Sequence, residues 1–186
     1  STTDVDKVLA DAAVKSVAIA TPAASHFELA SSALAAGKHV FVEKPMTLNA
    51  RDGESLVRQV EGTGLTLMVD HVLVYHPAVQ ELTRLAREGG LGRIQYMYTQ
   101  RANLGVVRTE ENALWSLGVH DVAVALDLFG HSPSEIAATG GSFLQRERKI
   151  EDVVFVSMRF PDGELAHLHL SWLDPHKIRK TTVVGS

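Results

Sequence analysis

His39-Val40-Phe41-Val42, followed at once by Glu43-Lys44-Pro45, is a short apolar run set between Gly37 and Pro45. A run of that length, bounded by such punctuation, reads as a buried strand of a parallel sheet rather than a helix. Two charged residues stand at its carboxyl end, the edge of an open α/β sheet beyond which ligands bind. Pro45 lacks a backbone donor and keeps Lys44 out of the helical region, so the lysine is presented on a stiff turn. The plainer reading, a solvated Glu-Lys pair in a loop, is the better one for an arbitrary strand end, and the flanking chain has to decide.

Upstream, Val5, Val8, Leu9, Ala12 and Ala13 recur at helical spacing, and Val17 to Ala20 forms an apolar strand that Thr21-Pro22 ends. Ser25 with Glu28 has the spacing of a capping box, predicting a helix over Phe27, Leu29, Ala30, Ala33 and Leu34 that Gly37 closes. Downstream, a helix is expected from Asn49 to Glu61, weakened by Gly53 at about 1 kcal/mol relative to alanine, and then a strand over Leu65 to Val69. Strand, helix, strand, helix, strand on short links is half of a doubly wound parallel sheet.

After Asp70 the pattern changes. Pro77 opens a helix carrying Val79, Leu82, Leu85 and Ala86, which Gly89-Gly90 stops, and His76 is placed to cap it. From Arg93 to Asn103 residues alternate, with Ile94, Tyr96 and Tyr98 on one face and Met97, Thr99, Arg101 and Asn103 on the other. Residues 114–129 read as one apolar helix containing His120, Asp121 and Asp127. Asp152 to Phe160 and Glu164 to Trp172 flank Pro161-Asp162-Gly163 as a hairpin. The expected fold is α/β followed by α+β: the second part of a Rossmann-type parallel sheet over residues 1–70, then an open, mainly antiparallel sheet with helices on one face over residues 71–186.

A dinucleotide-binding half begins with a strand and G-x-G-x-x-G, and neither precedes the first strand here. Gly62-Thr63-Gly64 follows a helix and reads as its terminator. The chain opens inside such a domain and stops in a strand-to-turn transition at Val183-Val184-Gly185-Ser186, the pattern of a piece of a longer protein, incomplete at the end of its second domain. Its 186 residues, 45% hydrophobic and 22% charged, are those of a globular protein. A formal charge of −4 without a Lys/Arg run argues against nucleic acid and anionic membrane as partners. No apolar stretch reaches the roughly 20 residues that span a bilayer, so a cytoplasmic enzyme or binding domain fits. Zero cysteines exclude disulfides, thiolate metal sites and a cysteine nucleophile. His167 and His169 share a strand face but lack a third ligand at metal-site spacing, so no metal is expected and a packed sheet face is favoured.

Ala20-Thr21-Pro22 with His26, Glu43-Lys44-Pro45, Leu91-Gly92-Arg93-Ile94 and Leu117-Gly118-Val119-His120-Asp121, in that order, resemble the Gfo/Idh/MocA family of NAD(P)-dependent oxidoreductases across essentially the whole chain. Val69-Asp70-His71 through Tyr75-His76-Pro77, Arg101 to Gly105 and Leu114-Trp115-Ser116 are most similar to the branch that oxidises UDP-N-acetylglucosamine or its uronic acid at C3. The resemblance implies NAD or NADP as cofactor, with Thr21, Pro22, His26 and Glu43 beside it. It places Lys44 and His120 at the catalytic centre and His71, Tyr75, Arg101, Asn103, Trp115 and Ser116 around a sugar or UDP-sugar. It also implies a homo-oligomer paired through the open sheet of the second domain.

Oxidising a carbinol needs a base on the hydroxyl while hydride leaves its carbon. An imidazole is ready for that near neutrality. Lysine serves as base only as the scarce neutral amine, whereas its ammonium form polarises a developing alkoxide at lower cost. The expected roles are His120 as base and Lys44 as electrostatic and proton-relay partner, the reverse staying open. Many family members carry an acid four residues before this histidine; Ser116 stands there and can orient the ring but adds no charge. Each residue has a plainer reading as well: His120 satisfied in a core, Trp115 in a core, and Arg101 paired with an acid at a rim. The competing function is a non-catalytic sugar-nucleotide-binding or assembly domain on the same scaffold.

Overall fold

Asp4 precedes the first apolar run and accepts from the Lys7 N–H at 3.2 Å, which starts helix α1 (Val5–Ala10). The computed structural model describes residues 2–105 and 107–186. They divide into two compact units, Ser1–Asp70 and His71–Ser186.

In the first unit, strands β1 (Ser16–Ile19), β2 (His39–Val42) and β3 (Leu67–Val69) lie side by side in that order, all parallel. Helices α2 (His26–Ala35) and α3 (Ala50–Val60) make the crossovers that parallel neighbours require. Ile19, Val40 and Val42 bury against Ala30, Ala33, Leu34 and Leu56. Full burial of a Val or Leu side chain contributes about 1.5–3 kcal/mol, so this one cluster sets both helix faces against the sheet. Gly37, at φ 71°, turns the chain out of α2 into β2.

Two details differ from the sequence reading. The Ser25 capping box does not form: a 3-10 turn at Ala23–Ser25 runs straight into α2, and Ser25 is itself helical, with no side-chain cap bond. Its hydroxyl turns back to donate to the Pro22 carbonyl at 2.8 Å, because the helical path has already begun at Ala23, just after Pro22. Gly53, read as a weakness, is buried in α3, where an added Cβ would lie 3.1 Å from Met46 Cε and 3.3 Å from Thr47 Oγ1. Glycine there admits the loop that follows the Lys44 turn.

In the second unit, α4 (Pro77–Arg87) is capped by His76, whose Nδ1 accepts from the Ala78 N–H at 3.2 Å. Strands β4 (Ile94–Ala102), β5 (Glu135–Gly141), β6 (Val153–Arg159), β7 (Leu165–Ser171) and β8 (Ile178–Gly185) form one open sheet in the order β5-β6-β7-β4-β8. Only β4 and β7 run parallel. Alternation sorts the faces: Met97, Val154, Val156, Met158, Leu168 and Leu170 bury in one cluster with Val124, Ala125 and Leu128 of helix α5 (Val119–Phe129). The opposite face leaves Tyr96, Tyr98, Phe155 and Leu165 exposed. Trp172 and Phe160 lie in the core cluster at the ends of the β6–β7 hairpin, whose Gly163 has φ 92°.

Residues 114–129 are not one uniform helix. Leu114–Gly118 is a π-turn that leads into α5. Asn112 seeds it, its Oδ1 accepting from the Trp115 N–H at 3.1 Å and its carbonyl from the Ser116 N–H at 3.0 Å. The wider turn changes the phase between Ser116 and His120 from that of a regular α-helix, so four-residue spacing does not place them on one face by itself.

Candidate active site

In the first unit the carboxyl edge of the parallel sheet carries the expected residues. The Glu43 N–H donates to the Ile19 carbonyl at 2.9 Å and the Asp70 N–H to the Val42 carbonyl at 2.8 Å, so Glu43 and Asp70 stand where the ladder ends. Glu43 Oε2 accepts from the Lys44 N–H at 3.2 Å, and the Lys44–Pro45 peptide is cis. Thr21 and Pro22 are exposed at the end of β1. Ser25 gives its proton to Pro22, so at the 2.7 Å contact between the hydroxyls Thr21 donates to Ser25. Thr21 Oγ1 therefore keeps its lone pairs as acceptors for a donor on a ligand.

His26 lies beneath these exposed groups. It is 1% exposed, with Nδ1 2.8 Å from the Pro45 carbonyl and Nε2 2.9 Å from the Thr21 carbonyl. Both partners only accept, so a neutral ring donates to one of them and an imidazolium to both. The ring lies beneath the two turns and ties the end of β1 to the turn bearing Lys44; its effect on a bound dinucleotide passes through those turns. An exposed hydroxyl, a strand-end carboxylate and a fixed turn at this edge suit the rim of a dinucleotide site.

In the second unit Arg101 and Asp121 form a two-toothed pair, Nε to Oδ2 at 3.0 Å and Nη2 to Oδ1 at 2.9 Å. Asp121 is 1% exposed, so the pair is buried and not a rim contact. It joins β4 to the first turn of α5, one residue beyond His120. Asn103 Oδ1 accepts from Arg179 Nη2 at 2.6 Å. His71 and Trp115 line one apolar groove with Val74, Val119, Val122 and Leu126. Tyr75 is 57% exposed and lines a separate, more polar groove beside Thr83 and Arg87. The expected substrate residues of this unit thus fall into a polar set, Arg101 and Asn103, and an apolar set, His71 and Trp115; Ser116 lies in the π-turn between Trp115 and His120.

His167 and His169 are engaged on the open sheet face. Phe155 stacks on His169 with centroids 4.6 Å apart, and the Ser157 hydroxyl meets His167 Nδ1 at 3.0 Å. Among the described residues, one cluster has ligand atoms within 4.8 Å of one another: His131, Asp162 and Glu164, where the end of α5 meets the hairpin turn. Three other features escaped the sequence reading. Arg179 carries a cross-strand position opposite Arg101. Asp121 was visible only as a residue pointing away from His120. Lys38 is buried and donates to the Asp11 carbonyl at 2.7 Å. The i, i+2 alternation of β8 was the one signal that could have placed Arg179 on the helix-covered face.

A parallel half-sheet followed by an open mixed sheet with helices fits the class of two-domain oxidoreductases that bind a nicotinamide dinucleotide. Two family profiles match accordingly: the oxidoreductase family NAD-binding Rossmann fold over residues 1–71, and the GFO/IDH/MocA C-terminal domain over residues 79–186. The chain belongs to the Gfo/Idh/MocA family of NAD(P)-dependent oxidoreductases.

UDP-N-acetylglucosamine 3-dehydrogenase of Acidithiobacillus ferrooxidans is 30% identical over 90% of this chain and 51% of its own length. Its solved structure superposes with a TM-score of 0.86 at 28% identity, covering 100% of this chain and 58% of that one. The NADP(+)-dependent scyllo-inositol 2-dehydrogenase IolW of Bacillus subtilis is 30% identical over 87% of this chain and 47% of its own. GenD2 from gentamicin A biosynthesis, solved in complex with NAD, gives a TM-score of 0.91 at 28% identity, covering 100% of this chain and 56% of that one. The chain spans about half the length of the curated relatives it matches. No helix of the described residues is long and apolar enough to cross a membrane.

Proposed function

We propose that the protein oxidises a hydroxyl-bearing carbon of a sugar or sugar nucleotide, C3 of a UDP-N-acetylhexosamine or its uronic acid being the foremost candidate. On this reading residues 1–70 are the later part of the nucleotide-binding domain, and residues 71–186 hold the substrate and pair subunits. The observation that carries it is the position of Lys44, which precedes the Pro45 carbonyl fixed by His26 at the carboxyl edge of the parallel sheet. Family membership and the kinship to dehydrogenases of UDP-N-acetylglucosamine and scyllo-inositol support it.

Thr21, Pro22 and Glu43 border the cofactor, and His26 holds their turns in place. A nicotinamide bound at that edge would supply the hydride acceptor. His120 takes the hydroxyl proton as it leaves. Lys44, as ammonium, stabilises the negative charge that builds on the oxygen and relays the proton onward. Ser116 orients the imidazole without supplying charge. His71 and Trp115 pack the apolar side of the sugar; Tyr75, Arg101 and Asn103 complete the substrate side. The exposed Tyr96, Tyr98, Phe155 and Leu165 of the open sheet suit pairing with a second copy, and light scattering of the full-length protein returning a monomer would contradict that part.

The test is a titration of the full-length protein with NADH and with UDP-N-acetylglucosamine, followed by assay for reduced cofactor. Binding of both with turnover is expected. Retained UDP-sugar binding with no affinity for NADH or NADPH would replace the enzyme by a sugar-nucleotide-binding domain.

A further inference from the structure

Arg101 and Arg179 are direct cross-strand partners in the β4–β8 ladder, so their side chains leave the same face of the sheet. It is the helix-covered face, since Met97 and Val183, paired in the same ladder and each four positions away, lie respectively in and against the core cluster under α5. Like charges directly opposite each other are unfavourable, and Asp121 is an acid that acts on both. Asp121 is committed to Arg101 through both carboxylate oxygens.

Arg179 is left with neutral partners. Its Nη1 donates to the Ala102 carbonyl at 3.0 Å and the Ile178 carbonyl at 2.8 Å, and its Nη2 to Asn103 Oδ1 at 2.6 Å. Among the described residues it forms no ion pair. These bonds fix the guanidinium and use both Nη1 protons and one on Nη2, so the Nε–H and the second Nη2–H remain to donate. Asn103 is fixed in turn: a Cβ on Gly105 would fall 1.9 Å from its Nδ2, so only glycine there lets the amide lie as it does. Partial burial and the neighbouring Arg101 both lower the pKa of Arg179, with Asp121 offsetting them, the signature of a cation short of a counterion. A guanidinium held rigidly, with donors to spare and no dedicated carboxylate, is matched by an anion with paired oxygens.

We propose that Arg179, positioned by Asn103 and Gly105 and seconded by Arg101, is an anion subsite that selects substrates bearing a carboxylate or phosphate. The subsite connects to the reacting centre within the second unit: Arg101, opposite Arg179 in the ladder, holds Asp121, and Asp121 adjoins His120. Its place as a substrate subsite rests on the reading of His120 as a catalytic group; its affinity for an anion does not. The anion is either the carboxylate of a uronic acid or the diphosphate of a nucleotide, and the two differ in which probe responds.

The full-length protein, its Arg179→Gln variant and its Arg179→Lys variant are titrated by calorimetry with UDP, with glucuronate and with uncharged N-acetylglucosamine. In the unaltered protein at least one anion is expected to bind more tightly than N-acetylglucosamine. R179Q should weaken that anion about 10- to 100-fold, leaving N-acetylglucosamine and NADH unchanged, and R179K should recover only part of the loss because an ammonium lacks the fork. A response of UDP alone assigns the diphosphate, and of glucuronate alone the sugar carboxylate. Equal loss for charged and uncharged ligands, or no loss, overturns the proposal. If R179Q does not fold, R179K decides: weaker anion binding at an unchanged melting temperature supports the subsite and unchanged binding overturns it. Because no turnover is read, absent hydride transfer would sink the dehydrogenase and spare this subsite, while a dehydrogenase indifferent to substrate charge would do the reverse.

Discussion

Arg101 and Asp121 are joined by two hydrogen bonds of 3.0 and 2.9 Å with the aspartate 1% exposed, and that pair pins the helix bearing His120 to strand β4. Replacing Asp121 by Asn keeps the shape and removes the countercharge, leaving a guanidinium buried without compensation. Breaking one side of such a pair costs about 3–5 kcal/mol. Urea unfolding of the second unit should show a loss of that size; a loss under about 1 kcal/mol would mean that the pair is effectively solvated.

His26→Ala removes a ring that bridges two carbonyls inside the first unit. Lost bonds, a stranded carbonyl and a new cavity together should cost about 2–4 kcal/mol. Because the ring ties the Thr21 and Pro45 turns, the NADH dissociation constant should rise by roughly tenfold or more while UDP binding holds. Fluorescence titration with both ligands separates the two. Unchanged NADH affinity would restrict His26 to a purely structural role.

Gly118→Ala inserts a methyl that would lie 2.7 Å from both Leu114 Cδ1 and Leu170 Cδ1 at the junction of the π-turn and α5. Overpacking of this kind costs about 1–3 kcal/mol. His120 is two residues on, so kcat should fall more than KM rises, the pattern of a misplaced reacting group. Steady-state kinetics beside a melting curve checks it; full activity would show that the junction yields without moving the imidazole.

The architecture was legible because its signals are local and redundant. Val40 to Val42, Gly37, the His76 cap and the Pro161-Asp162-Gly163 turn each state one element, and their order gives the parallel half-sheet and the mixed sheet after it. Ser25 misled because the capping motif competes with the 3-10 turn that follows Pro22 and begins at Ala23, two residues earlier. The π-turn left no periodic trace, since the apolar residues from Leu114 to Phe129 suit a regular helix as well. The polar wiring was illegible for another reason. The Arg101–Asp121 pair, the Arg179–Asn103 contact and the burial of His26 join residues 19 to 76 positions apart, and spacing says nothing at that range.

The division of labour between His120 and Lys44 is tested most directly by single-turnover formation of reduced nicotinamide with UDP-N-acetylglucosamine in the full-length protein. His120→Asn should slow that step by about 100- to 10,000-fold, the range of general base catalysis, with substrate affinity preserved, and Lys44→Met should slow it less. Near-normal hydride transfer in H120N, alongside its abolition in K44M, would contradict the account and make the lysine the base.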